Sequence, residues 1–291
     1  MILITGATGG LGKATINSLL RKGVQANHII ALVRDRTRAH DLENMGIQVR
    51  IGDYNDRHSL KAALIGVDKL LFISSNELVD RLVQHKNVID AAIDNKVKHI
   101  IYTGIDIRSF ENTAIPHVSH IHRDTEAYLQ NTGLPFTLLN DNLYADTIPL
   151  FLGNDVLEKG IFFPAGEGRV PFLPRTDVAE AAAVVLTSTG HEGKAYAIAA
   201  EMAYSFADIA QMLTEISGKV IQYQQPDLKT YINTMLGAGV PKDAAMFLGS
   251  FGTAIANGEI DTNRSDVEKL LGRKSTPLEQ YLSDYYRAEL K

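Results

Sequence analysis

From the first residue onward, short apolar runs alternate with stretches of helical pattern. "ILIT" (2–5) precedes a helical pattern through Leu20, and "HIIALVR" (28–34), "IQVRIGD" (47–53), "DKLLFIS" (68–74), "KHIIYTG" (98–104) and "PFTLLN" (135–140) repeat the strand signature. Helices are expected between them: a short polar one ending near Gly46, one over 57–66 with Gly66 as C-cap, one from about Leu78 to Asn95, and one over 118–132 closed by Gly133. The strands read as continuous apolar runs, as a sheet covered on both faces requires. This alternation predicts the α/β class, with a doubly wound, Rossmann-like parallel sheet.

Beyond about residue 143 the rhythm changes. "GNDVLEKGIFFPAGEGRVPFLPRTD" (153–177) is rich in Gly and Pro and reads as loops and short strands. Helices follow at 176–188, with Thr176 as N-cap, and at 205–218, opened by a Ser-x-x-Asp cap; further helices are expected at 265–272 and 276–290. The expected division is a sheet domain over 1–142 and a smaller α+β lobe over 143–291, with a strand near 194–200 returning to the sheet. A ligand would then lie across the carboxyl ends of the strands, under the lobe.

Composition removes several alternatives. Of 291 residues, 45% are hydrophobic and 22% charged, which argues for an ordinary globular chain. The net charge of −5 and the interspersed signs give no basic stripe, so direct nucleic-acid binding is not expected. There is no Cys, which excludes disulfides, thiolate nucleophiles and Cys-ligated metal. The chain opens on a strand with no room for a signal peptide, and runs such as "AEAAAVVL" (179–186) are too short to span a bilayer. A cytoplasmic protein is expected.

The chemistry is concentrated at strand ends. "TGATGGLG" places Gly6, Gly9 and Gly12 three apart between the first strand and first helix, where a turn of this kind lets the backbone and helix N-terminus approach a pyrophosphate. A purely structural tight turn is the competing explanation. At the end of the second strand, "ALVRDRTR" presents Arg34, whose guanidinium matches the 2′-phosphate of NADP(H); the adjacent Asp35 keeps NAD(H) possible through the ribose diol. In "GDYND" (52–56), Asp53 could accept from the adenine amino group and Tyr54 flank the ring, while Asp53 or Asp56 could equally cap the next helix. "ISSN" (73–76) brings hydroxyls near the path of the nicotinamide ribose.

Together "TGATGGLG", "ALVRD", "GDYND", "LLFISS" and "IYTG" resemble the NmrA-like branch of the atypical short-chain dehydrogenase/reductases, nearest to its bacterial NADPH-dependent quinone oxidoreductase and triphenylmethane reductase group. "TGLPFTLLN" (132–140) and "RTDVAEAAAVVL" (175–186) extend the likeness along nearly the whole chain. The resemblance implies that Gly6, Thr8, Gly9, Gly10, Leu11 and Gly12 bind the pyrophosphate, Arg34 the 2′-phosphate, Asp53 and Tyr54 the adenine side, and Ser74 and Ser75 the nicotinamide ribose. It places the substrate pocket around His122, Tyr144, Asn142 and the loop through Phe163. The sequence departs from the family at Asn140, where Arg is usual.

The Tyr-x-x-x-Lys pair of typical short-chain dehydrogenases is missing: Tyr54, Tyr102, Tyr128 and Tyr144 all lack Lys four residues on. A ketone reduced to an alkoxide needs a positioned acid, whereas a quinone or cationic dye gives a far less basic product. The missing pair therefore disfavours alcohol dehydrogenase and epimerase chemistry. His122 is the best candidate acid, with Glu126 an i,i+4 neighbour that could orient and charge it; a plain surface His–Glu pair weighs equally. His117, His120 and His122 match no metal motif, and no metal is expected. Tyr144 and Phe163 are the expected flat substrate surface. The expected activity is NADPH-dependent hydride transfer directly to a quinone-like or other conjugated acceptor, without flavin or metal. The alternative is a non-catalytic NADP(H) sensor that binds a protein partner. A small aromatic or quinone acceptor is the expected partner, a membrane is not, and a homodimer is compatible with either reading.

Overall fold

Seven parallel strands carry the architecture. The computed structural model describes residues 1–75, 77 and 79–289. Strands β1 (Ile2–Ile4), β2 (Ile29–Val33), β3 (Gln48–Ile51), β4 (Lys69–Phe72), β5 (His99–Ile105), β6 (Phe136–Asp141) and β7 (Lys194–Ile198) form one sheet in the order β3-β2-β1-β4-β5-β6-β7. Every neighbouring pair is parallel. In register, Ile2 stands beside Ile29 on one side and Lys69 on the other.

Successive residues of each strand point to opposite faces, and each face has its own helices. On one side Ile4, Ala31, Leu71, Ile101 and Leu139 meet Leu11, Ile16 and Leu19 of α1 (Gly10–Arg21) together with Val178, Ala182 and Val185 of a helix over Arg175–Thr187. On the other side Leu3, Ile30, Leu70, Ile100 and Leu138 meet Leu60 of the helix Arg57–Ala63, Val88 and Ile89 of Arg81–Asp94, and Leu129 of Pro116–Gln130. With the short helix His40–Asn44 as α2, these four are α3 (Arg57–Ala63), α4 (Arg81–Asp94), α5 (Pro116–Gln130) and α6 (Arg175–Thr187). The strands buried on both faces are the apolar ones. The two edge strands differ: β3 exposes Gln48 and Ile51, and β7 exposes Lys194 and Ala195, which is why their composition is mixed.

A third apolar cluster fills the second half of the chain, where Phe151, Phe163, Phe206, Tyr231, Phe251 and Leu282 pack together. Ile105 at the end of β5, Ile107 just beyond it, and Ile115 and Val118 at the start of α5 belong to the same cluster, so it continues onto the sheet. A polar joint reinforces this seam. Asp106 is fully buried and accepts from Arg264 Nε at 2.9 Å and Nη2 at 2.6 Å, and from the Thr262 hydroxyl.

Local signals explain most element ends. Ser205 and Asp208 form the expected capping box on the helix Phe206–Ser217, and Asp56 caps α3 through the His58 and Ser59 N–H groups. Thr176, expected as an N-cap, instead lies in the first turn of α6, because Pro174 takes the cap position. α4 begins at Arg81; Leu78, where its start was expected, and Asn76 lie outside the described residues.

Candidate active site

The strand order reverses between β1 and β4, and the loops leaving their carboxyl ends meet, Gly6 against Ile73 and the Ile73 N–H on the Thr5 hydroxyl. After β1 the chain turns tightly: Gly6 has φ +57° and its carbonyl accepts the Gly9 N–H at 2.9 Å. A Cβ on Gly12 would lie 2.7 Å from the Ala7 Cα and closer still to the Gly6 oxygen, so only glycine fits. Gly6, Gly9 and Gly10 are exposed, Thr8 is half-buried, and the Leu11 side chain turns into the core, leaving its N–H to the loop. The first N–H groups of a helix have no intrahelical partner, and Lys13 is the first of α1 to bond back, to Gly9. The turn is an open anion cradle at a helix N-terminus.

Arg34 leaves the end of β2 with its side chain 67% exposed, paired among the described residues with Glu77 at 3.4 Å. Asp35 differs. One of its oxygens accepts both the N–H and the hydroxyl of Thr37, at 2.9 and 2.7 Å, so it caps its own turn. Asp53 also holds a local turn, accepting the Asn55 N–H at 2.8 Å, and Tyr54 donates its hydroxyl to the Ile73 carbonyl while its ring packs edge-on against Phe72. The strand-end geometry therefore leaves Arg34 exposed, held by one long contact to Glu77, and gives Asp35 another task.

Ser74 and Ser75 follow β4, and their hydroxyls point into a buried polar network. Ser74 Oγ accepts from Arg81 Nη2 at 2.6 Å and lies 3.2 Å from His85 Nε2; Ser75 donates to Gln84 at 2.8 Å. Arg81 Nη2 also reaches His122 Nε2 at 3.1 Å, and His122 Nδ1 lies 2.9 Å from the Tyr102 hydroxyl. An arginine can only donate, so Nε2 of His122 is the acceptor and a neutral ring carries its proton on Nδ1, toward Tyr102. Burial, with Arg81 and His85 adding their charge, pushes the His122 pKa well below the ordinary imidazole value. Burial likewise takes His85 down to about 3.

A second set of groups lies against Gly104 of β5. A Cβ there would come within 2.6 Å of Asn140 Oδ1 and 2.8 Å of Glu126 Oε1. Neither oxygen has a hydrogen-bond partner among the described residues. With no cation beside it, Glu126 is pushed by burial up to about 7. Next along β6, burial raises Asp141 to about 8 although it accepts the Tyr144 hydroxyl at 2.5 Å. The Tyr144 ring is half-buried and carries the Arg175 guanidinium 4.8 Å from its centroid.

The profile of the NmrA-like family matches residues 1–282. The chain belongs to the NmrA-like family. It is 37% identical over 287 residues to quinone oxidoreductase 2 of Escherichia coli K12, covering 98% of this chain and 99% of that one. To the NAD(P)H azoreductase of Xenophilus azovorans it is 30% identical over 247 residues, 84% of each chain. Among solved structures, the Citrobacter sp. triphenylmethane reductase complexed with NADP(H) superposes with a TM-score of 0.91 at 39% identity, covering 98% of this chain and 99% of that one. The E. coli NADPH-dependent quinone oxidoreductase complexed with NADPH gives 0.90 at 35%, covering 98% and 100%.

In this NmrA-like protein several residues expected at the pocket have structural work instead. The His122–Glu126 pairing does not form: both side chains are buried, and His122 spends its nitrogens on Arg81 and Tyr102. The imidazole is held neutral rather than charged. Phe163 is fully buried against Phe151, Phe206 and Tyr231 and offers no surface to a ligand. Asn142 is 4% exposed and donates to Asp106 and the Ile260 carbonyl, so it belongs to the buried polar joint around Asp106. His117 packs on Phe247, and no group of three metal-ligating side chains occurs among the described residues. No helix among them is long and apolar enough to cross a membrane. Arg81, His85 and Arg175 went unanticipated as site residues. Arg81 and His85 carry no motif at all, while Arg175 sits inside "RTDVA" but gains meaning only from what it packs against.

Proposed function

We propose that this protein is an NADPH-dependent oxidoreductase whose acceptor is a quinone or similarly conjugated electrophile, reduced without a flavin. The observation that carries the reading is the pairing of an open glycine cradle with an exposed Arg34 at the adjacent strand end, while Asp35 is spent on its own turn. A bound NADPH supplies the hydride. The chain's own part is to hold the diphosphate on the backbone of Gly9 to Gly12, to hold the 2′-phosphate on Arg34, and to present the half-buried face of Tyr144 to a flat acceptor. His122, neutral and doubly bonded, contributes no acid; it fixes Arg81 and Tyr102 in place. A delocalised product of low basicity takes its proton from water, so positioning supplies most of the rate.

The test is NADPH oxidation followed at 340 nm with a panel of benzoquinones, naphthoquinones and triphenylmethane dyes. Turnover with at least one class is expected; none with any acceptor at saturating NADPH would sink the enzyme reading. The commitment of His122 to structure also favours a second reading, a sensor that binds NADP(H) and changes its affinity for a protein partner. That reading predicts tight dinucleotide binding with no consumption.

A further inference from the structure

The backbone cradle is formally neutral, yet a dinucleotide diphosphate carries two negative charges. One cation stands beside it. Arg175 is the first residue of α6 as Gly10 is the first of α1, and these two helices pack against each other. A Cβ built on Gly10 would meet Arg175 Cδ at 3.4 Å and its Nε and Nη1 at 3.8 Å, so the side chain runs directly over the start of α1.

The guanidinium is held but little used. It lies over the Tyr144 ring, and Nη1 is 3.5 Å from Asp146 Oδ1, while the other oxygen of Asp146 accepts the Arg175 backbone N–H at 2.9 Å. Among the described residues it makes no hydrogen bond, so its donors remain available. The tether to Asp146 and the stacking on Tyr144 limit its rotamers, which reduces the entropy lost when it closes on a ligand. A planar fork of donors suits the paired oxygens of a phosphate.

We infer that Arg175 binds the diphosphate of the dinucleotide, a second cation whose task differs from that of Arg34. The inference rests on the reading that NADP(H) occupies the glycine cradle. Arg34 faces the group that distinguishes NADPH from NADH. Arg175 faces the group they share, so it contributes affinity without discrimination. It also links the cofactor to the acceptor side, because the same side chain covers one face of Tyr144.

Four ligands separate the two roles by calorimetric titration: NADPH, NADH, ADP-ribose, which has the diphosphate alone, and 2′-AMP, which has the 2′-phosphate alone. Arg175→Gln keeps most of the stem over Tyr144 and should weaken NADPH, NADH and ADP-ribose by a similar factor of about ten to a hundred, the size of a lost charge-assisted contact. It should leave 2′-AMP unchanged. Arg34→Gln should weaken NADPH and 2′-AMP and spare the other two. Arg175→Lys, a point charge without the fork, should fall between wild type and Arg175→Gln. Unchanged ADP-ribose binding in Arg175→Gln overturns the inference, as does an equal loss for 2′-AMP, which would mean general damage to the site. If wild type itself binds none of the four, the cofactor reading fails first; if it binds them and the pattern is absent, only Arg175 loses its role.

Discussion

His122 Nδ1 lies 2.9 Å from the Tyr102 hydroxyl, with the opposite ring nitrogen turned to Arg81 at 3.1 Å. A histidine fixed between a phenol and a guanidinium is a strut, and a proton added to Nε2 would face a cation at contact distance. The pH profile of kcat/KM for quinone reduction should therefore show no inflection attributable to His122 near pH 6.5. His122→Asn should lower the melting temperature, because it removes a partner from the buried Tyr102 hydroxyl and leaves Arg81 with Ser74 alone on that nitrogen, at a cost on the order of 1–3 kcal/mol. An inflection present in wild type and lost in His122→Asn would make His122 a titrating participant instead.

Arg34→Ala tests cofactor choice. A guanidinium–phosphate contact contributes roughly 1.5–3 kcal/mol, so NADPH should bind about ten to a hundred times more weakly while NADH changes little. Titrations with both cofactors check this; equal losses would remove the 2′-phosphate from Arg34.

Glu126 and Asp141 predict the alkaline side of the stability curve. Burial raises both folded-state values, Glu126 to about 7 and Asp141 to about 8, so the folded chain holds protons that the unfolded chain releases near pH 4. Their contribution is fully present below those unfolded values and is lost as pH rises through about 7 and 8. Urea midpoints should decline from pH 5 to pH 9, and Glu126→Gln should flatten the part of the decline below pH 8. The Glu126 share is on the order of 3 kcal/mol. A slope unchanged by Glu126→Gln would contradict the assignment.

Gly12→Ala and Gly237→Ala form a matched pair. At Gly12 the new methyl meets backbone, which cannot yield cheaply, so a loss of about 1–3 kcal/mol and weakened NADPH binding are expected. Gly237 ends the helix Leu228–Gly237 with open space around it, and alanine there should be neutral or slightly stabilising. Thermal melts with and without NADPH distinguish the two; similar behaviour would mean that the turn tolerates a side chain.

Arg264→Met tests the polar joint around Asp106. It leaves Asp106 buried without its cation, and breaking a pair in that way costs roughly 3–5 kcal/mol, here reduced because Arg264 is itself half exposed. The loss should be smaller in Arg264→Met/Asp106→Asn than in Arg264→Met alone. A double variant no more stable than the single one would remove the buried charge as the cause.

Much of this protein is legible one residue at a time. Five of the six sheet strands up to residue 141 follow from apolar runs, because a strand covered on both faces carries a local signal that does not depend on its neighbours; the edge strand β3 is mixed. The glycine turn is equally local: left-handed backbone at Gly6 and a filled space at Gly12 leave no other residue. Arg34 and Asp35 stand side by side in the sequence, where Arg34 has the stronger claim, and the Thr37 groups turning back onto Asp35 show how the acid is engaged. The i,i+4 spacing of His122 and Glu126 correctly puts both on one helix face, but spacing says nothing of what that face meets. Tyr102 comes from β5 and Arg81 from α4, and packing delivers the histidine to them while leaving the glutamate against Gly104. Phe163 and Asn142 were drawn inward in the same way, by an aromatic cluster and a buried aspartate contributed from distant segments. Local chemistry is written in neighbouring residues; which polar group is left free is settled by long-range contacts, because each buried donor or acceptor takes the partner that folding brings to it.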